Sequence, residues 1–213
     1  MRCVVFTKPP VPGTCKTRLI PALGAQGAAD LHAAMALDVL EAAQRAGLAV
    51  EVSLAGDMDH PWVQSLGVPV SPQVSGDLGA RMLAALGDGP AMALGTDAPT
   101  LPIGFMRQAA ALNRPLVLGP AFDGGYWTLA WAKPIPELMK DMVWSTETVL
   151  AETLLRARSL GIEPQLLPFW YDVDTPDALA LLKQQLRILS PDTAPRTRSA
   201  LHALGHRRSP HSP

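Results

Sequence analysis

Short apolar runs of strand length alternate along this chain with segments of helical periodicity, and this order constrains the fold most strongly. The first run, residues 3–6 (CVVF), lacks polar alternation, which is typical of a strand covered on both faces. Further strand-like runs lie at residues 50–56, 91–95, 115–119, 126–132 and 164–173. Predicted helices separate them at residues 24–46, 78–86, 102–112, 146–160 and 176–189. This alternation predicts an α/β fold with a mainly parallel sheet and helices on both faces.

The length and composition favour one packed domain. The chain has 213 residues, of which 48% are hydrophobic and 17% charged, enough for a full core. Beyond residue 189 the composition becomes rich in proline, serine, arginine and histidine. We therefore predict a domain over residues 1–189 and a flexible basic tail over 190–213, within which residues 199–204 (SALHAL) are compatible with a transient helical turn.

Charge, cysteine content and the length of the apolar runs argue against a nucleic-acid-binding, a disulfide-rich or a membrane-spanning protein. A formal net charge of −1 gives no reason to expect a nucleic-acid partner, because such binding needs a basic surface. Two cysteines are too few for a disulfide framework. The first apolar run is too short for a signal peptide, and no other stretch is long enough to cross a bilayer. These features predict a cytoplasmic protein without a membrane partner.

The loop at residues 8–19 (KPPVPGTCKTRL) invites comparison with a P-loop, but its residues do not fit one. Cys15 stands where the second P-loop glycine should be, and the three prolines of the loop have no N–H to donate. Gly13 still permits close backbone approach, while Lys8, Lys16 and Arg18 supply positive charge. Directly after the first buried strand, this loop is predicted to bind a diphosphate through side chains; the alternative is a solvated surface loop.

Two stretches place carboxylates at predicted strand ends. Asp97 follows the strand at 91–95 and could bind a divalent cation, which prefers hard oxygen ligands; alternatively, it caps a turn or the following helix. Asp172 and Asp174 share one face if their segment is extended, although Asp174 or Thr175 could instead cap the next helix. Metal coordination requires Asp97 and Asp174 to meet at one point.

Other polar motifs have both a functional and a structural interpretation. Asp123 precedes Gly124 and Gly125, which allow a backbone to approach a ligand, or simply form a tight turn. Asp77 is predicted to cap a helix that has an arginine in its first turn. Ser145 is predicted as another N-cap, and the tryptophan before it as either core or pocket wall.

Six motifs in order resemble those of a known bacterial family. They are KPPVPGTCKTRL, GDLGARM, LGTDAPTL, LGPAFDGGYWTLA, MVWSTETVL and YDVDTPDAL. Together, over about residues 1–189, the chain resembles the glycosyltransferase A-like family labelled radical-SAM/selenodomain-associated transferase. This family is similar to the phospholactate guanylyltransferases and, more distantly, to the molybdenum-cofactor guanylyltransferases.

The resemblance implies a three-layer nucleotide-diphospho-sugar transferase fold, with a mixed, mostly parallel sheet and the nucleotide over its amino-terminal half. It implies that Gly13, Lys16 and Arg18 belong to the loop that holds the nucleotide diphosphate, with Lys8 close by. It implies that Asp97 and Asp174 bind Mg²⁺ or Mn²⁺. Asp123, Gly124 and Gly125 would belong to the acceptor side, with both glycines near the bound nucleotide-sugar.

The function implied is that of a metal-dependent transferase with a nucleotide-activated donor. The leading hypothesis is glycosyl transfer from a nucleotide-sugar to a small-molecule acceptor, whose hydroxyl Asp123 would orient or deprotonate. The first alternative is nucleotidyl transfer, in which an NTP donor releases pyrophosphate. The second is a non-catalytic protein that binds a nucleotide-sugar in the same pocket.

Overall fold

The computed structural model describes residues 1–207, and its centre is one seven-stranded β-sheet. The strands are β1 (Arg2–Thr7), β2 (Ala49–Leu54), β3 (Val70–Pro72), β4 (Ala91–Gly95), β5 (Leu116–Pro120), β6 (Tyr126–Trp131) and β7 (Gln165–Leu166). They lie side by side in the order β3-β2-β1-β4-β6-β5-β7. β1 is therefore an interior strand, as its continuous apolar run predicts.

The sheet is mixed and mostly parallel. Over residues 1–207, six strands share one direction, and β6 runs antiparallel to its neighbours β4 and β5. The reversal follows from chain length, because only residues 121–125 connect β5 to β6, and so short a link joins antiparallel strands. The predicted α/β class with a mixed, mostly parallel sheet is confirmed.

Helices cover both faces of the sheet. They are α1 (Ile20–Arg45), α2 (Leu78–Leu86), α3 (Ile103–Ala110), α4 (Val149–Ser159), α5 (Pro176–Ile188) and α6 (Pro195–Arg207). Cys3 and Val5 of β1 belong to a core cluster with Val39 of α1, whereas Val4 belongs to a second cluster with Met82 of α2. Successive side chains of β1 thus enter different cores, which explains why the run has no polar alternation.

The predicted extended segment at residues 164–173 forms less strand than expected. Only Gln165–Leu166 pairs with β5, followed by an isolated bridge between Ala121 and Trp170. Pro164 and Pro168 have no N–H to contribute to a ladder, so pairing is interrupted around them. The chain stays beside the end of β5 as far as Trp170 and then returns toward the end of β4.

The prediction of a flexible tail over residues 190–213 is wrong for most of that segment. Residues 195–207 form α6, and Leu204 of this helix is buried. A β-carbon on Gly27 of α1 would lie 2.6 Å from the Leu204 side chain, so the two helices approach closely because residue 27 is glycine. The last predicted tail residues, 208–213, lie outside the described residues.

A buried carboxylate in α1 holds the start of α6. The side chain of Asp38 is 1% exposed and accepts backbone hydrogen bonds from Arg196 N at 3.1 Å and Thr197 N at 2.7 Å. These N–H groups have no partner inside their own helix, and an acid placed there also faces the positive end of the helix dipole. Composition alone could not reveal this contact, because it joins residues far apart in the sequence.

Candidate active site

Two cavities lie at the carboxyl ends of the parallel strands, where α/β sheets bind their ligands. The β6-side cavity is about 580 Å³ and lies beside the β5–β6 turn; its lining includes Lys8, Lys16, Arg18, Asp123, Gly125, Trp144, Ser145, Asp172 and Asp174. The β2-side cavity is about 290 Å³; its lining includes Lys8, Lys16, His32, Gln73, Asp97 and Asp174. Lys16 and Asp174 line both cavities and therefore stand between them.

The loop between β1 and α1 is held by its own hydrogen bonds. Lys8 Nζ donates to the carbonyl of Thr14 at 2.5 Å, and the buried Cys15 Sγ donates to the carbonyl of Pro9 at 3.3 Å. Gly13 has φ +86°, a conformation that L side chains rarely adopt. Gly13 thus shapes the loop but is not among the lining residues of either cavity.

Lys16 joins two carboxylates that are far apart in the sequence. Its Nζ lies 2.5 Å from Asp97 Oδ1 and 2.6 Å from Asp174 Oδ1, and its side chain is 3% exposed. The N–H of Val173 donates to the Asp97 carbonyl at 2.8 Å, which ties residues 172–174 to the loop after β4. Burial acts to lower the pKa of Lys16, but the two carboxylates outweigh it, so its pKa is raised and it stays charged.

Asp172 is the group that the sequence interpretation left without a role. Burial, together with the charges of Asp97, Asp123 and Asp174, raises the pKa of its carboxyl to about 7, while Lys16 acts in the opposite direction. A carboxyl poised near neutral pH in a cavity marks a candidate functional group. The signal was present in the sequence, since Asp172 and Asp174 alternate in an extended segment and can share one face.

Asp123 both forms the turn and faces the β6-side cavity. Its Oδ1 accepts a hydrogen bond from Gly125 N at 2.9 Å, so the tight-turn interpretation holds. Gly124 has φ +89° and does not line the cavity, but its carbonyl accepts from Leu150 N at 2.8 Å. The turn is thereby fixed to the start of α4, and Asp123 lines the same cavity as the cations of the loop.

The predicted helix caps divide into two correct assignments and one error. Asp77 caps α2 by accepting from Ala80 N at 2.8 Å, and Thr175 caps α5, which leaves Asp174 free for Lys16. Ser145 is not a cap, because α4 begins later, after Thr148. Ser145 instead has φ 62° and lines the β6-side cavity beside Trp144, which also packs against the second core cluster.

More than half of the chain matches the model of one protein family. Residues 25–146 match DUF2064, described as "Uncharacterized protein conserved in bacteria". The chain belongs to the DUF2064 family. The match includes Asp97 and Asp123, whereas the cationic loop and Asp174 lie outside it.

Solved structures share the fold of this DUF2064 protein. A Desulfovibrio desulfuricans G20 protein, provisionally named a nucleotide-diphospho-sugar transferase, is 28% identical with a TM-score of 0.85, covering 97% of this chain and 98% of its own. The inositol-1-phosphate CTP transferase of T. maritima is 12% identical with a TM-score of 0.57, covering 93% and 95%. Rv0371c of Mycobacterium tuberculosis H37Rv, in complex with manganese, is 15% identical with a TM-score of 0.50, covering 86% and 99%. The fold is thus that of nucleotide-diphospho-sugar transferases, as the resemblance implied.

Two further findings are negative. No curated protein matches this DUF2064 chain. Within residues 1–207, no helix combines the length and the apolar character that crossing a membrane requires.

The carboxylates of this DUF2064 protein could hold a divalent cation only if a bound ligand supplied further oxygen atoms. Residues 1–207 contain no group of three or more histidine, cysteine or acidic side chains that could hold a metal ion. Asp97 and Asp174 offer two oxygen donors at one point, that of the Lys16 ammonium. Mg²⁺ commonly binds through one or two carboxylates plus substrate phosphates, so this donor set fits a metal that arrives with a phosphorylated ligand.

Proposed function

We propose that this protein is a transferase that uses a nucleotide-activated donor, with glycosyl transfer from a nucleotide-sugar to a small-molecule acceptor as its leading reaction. The observation that carries the proposal is the position of Lys16. Its ammonium joins Asp97 to Asp174 at the boundary between two cavities, where a cation could meet both the diphosphate of a donor and the acceptor.

Each cavity has a proposed occupant. The β2-side cavity lies over the amino-terminal half of the sheet and would take the nucleotide. The β6-side cavity would take the transferred group and the acceptor, with Asp123 as the carboxylate that orients or deprotonates the acceptor hydroxyl. Lys8, Lys16 and Arg18 would bind the diphosphate and offset the charge that grows on the leaving group. Gly13 and Gly124 would act indirectly, through the loop and the turn that they shape, while Gly125 lines the acceptor cavity.

Asp97 and Asp174 would hold Mg²⁺ or Mn²⁺ together with donor phosphate oxygens. When bound, the metal would neutralise charge on the diphosphate. Catalysis would then depend mainly on positioning the donor and the acceptor and on electrostatic stabilisation of the leaving group.

Nucleotidyl transfer is the second candidate, and the named activity of one fold neighbour favours it. The T. maritima neighbour is a CTP transferase, and the family that the six sequence motifs resemble is itself similar to guanylyltransferases. In this reaction the donor is an NTP and the product released is pyrophosphate rather than a nucleoside diphosphate. The released product therefore separates the two reactions directly.

The first test is a thermal-shift panel of nucleoside triphosphates, nucleoside diphosphates and nucleotide-sugars, each with and without Mg²⁺ or Mn²⁺. Selective binding stabilises the native state, so one nucleotide-sugar is expected to raise Tm in a metal-dependent manner. A response to a triphosphate alone would favour nucleotidyl transfer. Binding without turnover of any acceptor would indicate a non-catalytic nucleotide-sugar-binding protein, and no response at all would overturn the assignment of the cavities.

A pair of variants makes the test specific to the site. Asp97→Asn is expected to abolish the metal-dependent part of the Tm shift, because it removes one of two carboxylates. Asp88→Asn is the matched control, since this exposed residue precedes β4 at the opposite end of the strand and should leave the shift intact. An Asp97→Asn protein that responds like wild type would contradict the proposed metal ligand.

A further inference from the structure

Lys16 occupies the place where a divalent cation would have to bind. Its Nζ lies 2.5 Å from an oxygen of Asp97 and 2.6 Å from an oxygen of Asp174, closer than most charge-assisted hydrogen bonds. A metal ion that uses the same two oxygens needs contacts of about 2.1 Å. An ammonium and a divalent cation cannot share this position, because Nζ already lies against both oxygens and its positive charge repels a second cation.

The backbone holds Lys16 in this position at some cost. Lys16 has φ 46° and ψ 46°, a left-handed conformation that is unfavourable for a residue with a side chain. It immediately precedes a short 3₁₀ helix, Thr17–Leu19, whose last residue is buried in a core cluster. Strain that the surrounding structure maintains at a ligand site is a reason to seek a function for the residue that carries it.

The Lys16 ammonium can also reach a second position, away from the two carboxylates. Its side chain lines both cavities, and its four-carbon stem allows the ammonium to move while the loop stays in place. A diphosphate bound beside the loop would offer Nζ a stronger anionic partner than either carboxylate. The two carboxylates are 38% and 41% exposed and would remain accessible to a cation once the ammonium moved.

We propose that Lys16 closes the metal site in the nucleotide-free protein, and that the donor diphosphate opens it by drawing the Lys16 ammonium away from Asp97 and Asp174. The metal and the donor would then bind with positive coupling, and the free protein would bind the metal poorly. This inference rests on the proposed function, because it assumes that a nucleotide diphosphate binds at the loop.

The ligand count supports the same conclusion. Without the ammonium, the protein provides two carboxylates at this point, and residues 1–207 contain no third metal-ligating side chain in a suitable group. A cation therefore needs the donor's phosphate oxygens to complete its coordination. The event that supplies those oxygens is the one that removes Lys16, so a single ligand would both open and complete the site.

The experiment measures Mn²⁺ binding to the full chain by electron paramagnetic resonance, which detects free Mn²⁺ and needs no enzymatic activity. Lys16→Met removes the charge but keeps a stem of similar length. This variant is expected to bind Mn²⁺ without nucleotide about tenfold more tightly than wild type or better, because the positive charge that repels the cation is gone. Equal affinity in the two proteins would overturn the proposal.

Two controls show that the effect belongs to this ion pair. Lys8→Met removes a cation from the same cavities, but Lys8 Nζ donates to a backbone carbonyl rather than a carboxylate, so Mn²⁺ affinity should change little. Adding Asp174→Asn to Lys16→Met should abolish the gained affinity. A gain that persists in the double variant, or that Lys8→Met reproduces, would contradict the proposed competition.

The wild-type protein provides an arm that does not depend on any variant folding. Uridine, cytidine and guanosine diphosphates are added in turn, and protein-bound Mn²⁺ is distinguished from Mn²⁺–nucleotide by its relaxation enhancement of water protons. A diphosphate that binds is expected to strengthen Mn²⁺ binding about 5- to 150-fold, the usual range of coupling between sites. Wild-type protein that binds Mn²⁺ equally well alone would overturn this inference while leaving the proposed transferase intact, whereas failure of every nucleotide in the thermal-shift panel would count against the transferase itself.

Discussion

The backbone of Glu147 fills the space that a β-carbon on Gly124 would need. The nearest atoms to that position are the Glu147 carbonyl oxygen and carbonyl carbon, which are backbone atoms and cannot rotate away. Gly124 also has φ +89°. The turn that contains Asp123 can therefore pack against the cavity wall that contains Ser145 only because residue 124 has no side chain.

Gly124→Ala is accordingly expected to be strongly destabilising. The new methyl group would collide with backbone, and alanine is strained at this φ, so the free energy of unfolding should fall by about 2–4 kcal/mol. Chemical denaturation measures this change. Metal-dependent donor binding should be affected less than acceptor-dependent turnover, because the displaced turn belongs to the β6-side cavity.

Gly104→Ala is the matched control for Gly124→Ala. Gly104 lies in α3, has no atom within 4 Å of its β-carbon position and shows no positive φ. Alanine there should stabilise the protein by about 0.5–1 kcal/mol because it favours helix. If both variants changed stability in the same direction, close packing at Gly124 would not be the cause.

Arg18→Ala is expected to weaken donor binding with little change in stability. Arg18 is exposed, lines the β6-side cavity and forms no ion pair with any carboxylate of residues 1–207. Losing one charge-assisted hydrogen bond should raise Kd about tenfold for the nucleotide selected by thermal shift. Arg114→Ala, which breaks an exposed pair with Glu163 before β5, should leave Kd unchanged when both are measured by calorimetry.

Asp172→Asn is expected to stabilise the protein in a pH-dependent manner. The unfolded carboxyl ionises near 3.8, whereas the folded one keeps its proton to about pH 7 because of burial and the neighbouring aspartates. The folded chain thus holds the extra proton between these values, and the stability of wild type falls as pH rises through that window. The Asp172→Asn variant has no carboxyl to ionise at this position, so its stability does not fall in this way as pH rises.

The measurement is chemical denaturation of both proteins from pH 4 to pH 8 in buffer with a chelator. The stability advantage of Asp172→Asn should be small near pH 4, grow as pH rises and level off above about pH 7. A constant difference across the range would show that Asp172 ionises normally in the folded protein.

Asp38→Ala is expected to release the start of α6. The variant loses two hydrogen bonds to backbone N–H groups, at Arg196 and Thr197, so unfolding free energy should fall by about 1–3 kcal/mol. Hydrogen exchange at Thr197 N should accelerate. Glu41→Ala removes only a partly exposed partner of Arg196 and should cost at most about 1 kcal/mol. Unchanged exchange in Asp38→Ala would contradict the role assigned to this carboxylate.

Local patterns predicted the elements whose causes are local. Helix α2 and strand β4 have the predicted bounds, since an N-cap begins the helix and a continuous apolar run defines the strand. Strand β3 was not predicted, because three residues ending in Pro72 give no periodic pattern. Helix α6 was missed for a different reason, because its cap and its packing surface are both supplied by α1.

The sequence by itself determined the α/β alternation, the cationic loop after β1 and the acidic residues after later strands, because each depends on neighbours within a few positions. Only the tertiary structure decided that Lys16 contacts both Asp97 and Asp174, the latter 158 positions away. That contact depends on β1 lying beside β4 and on the bond from Val173 N to the Asp97 carbonyl. Strand order and chain return are set by packing of the whole sheet, so no local pattern contains them.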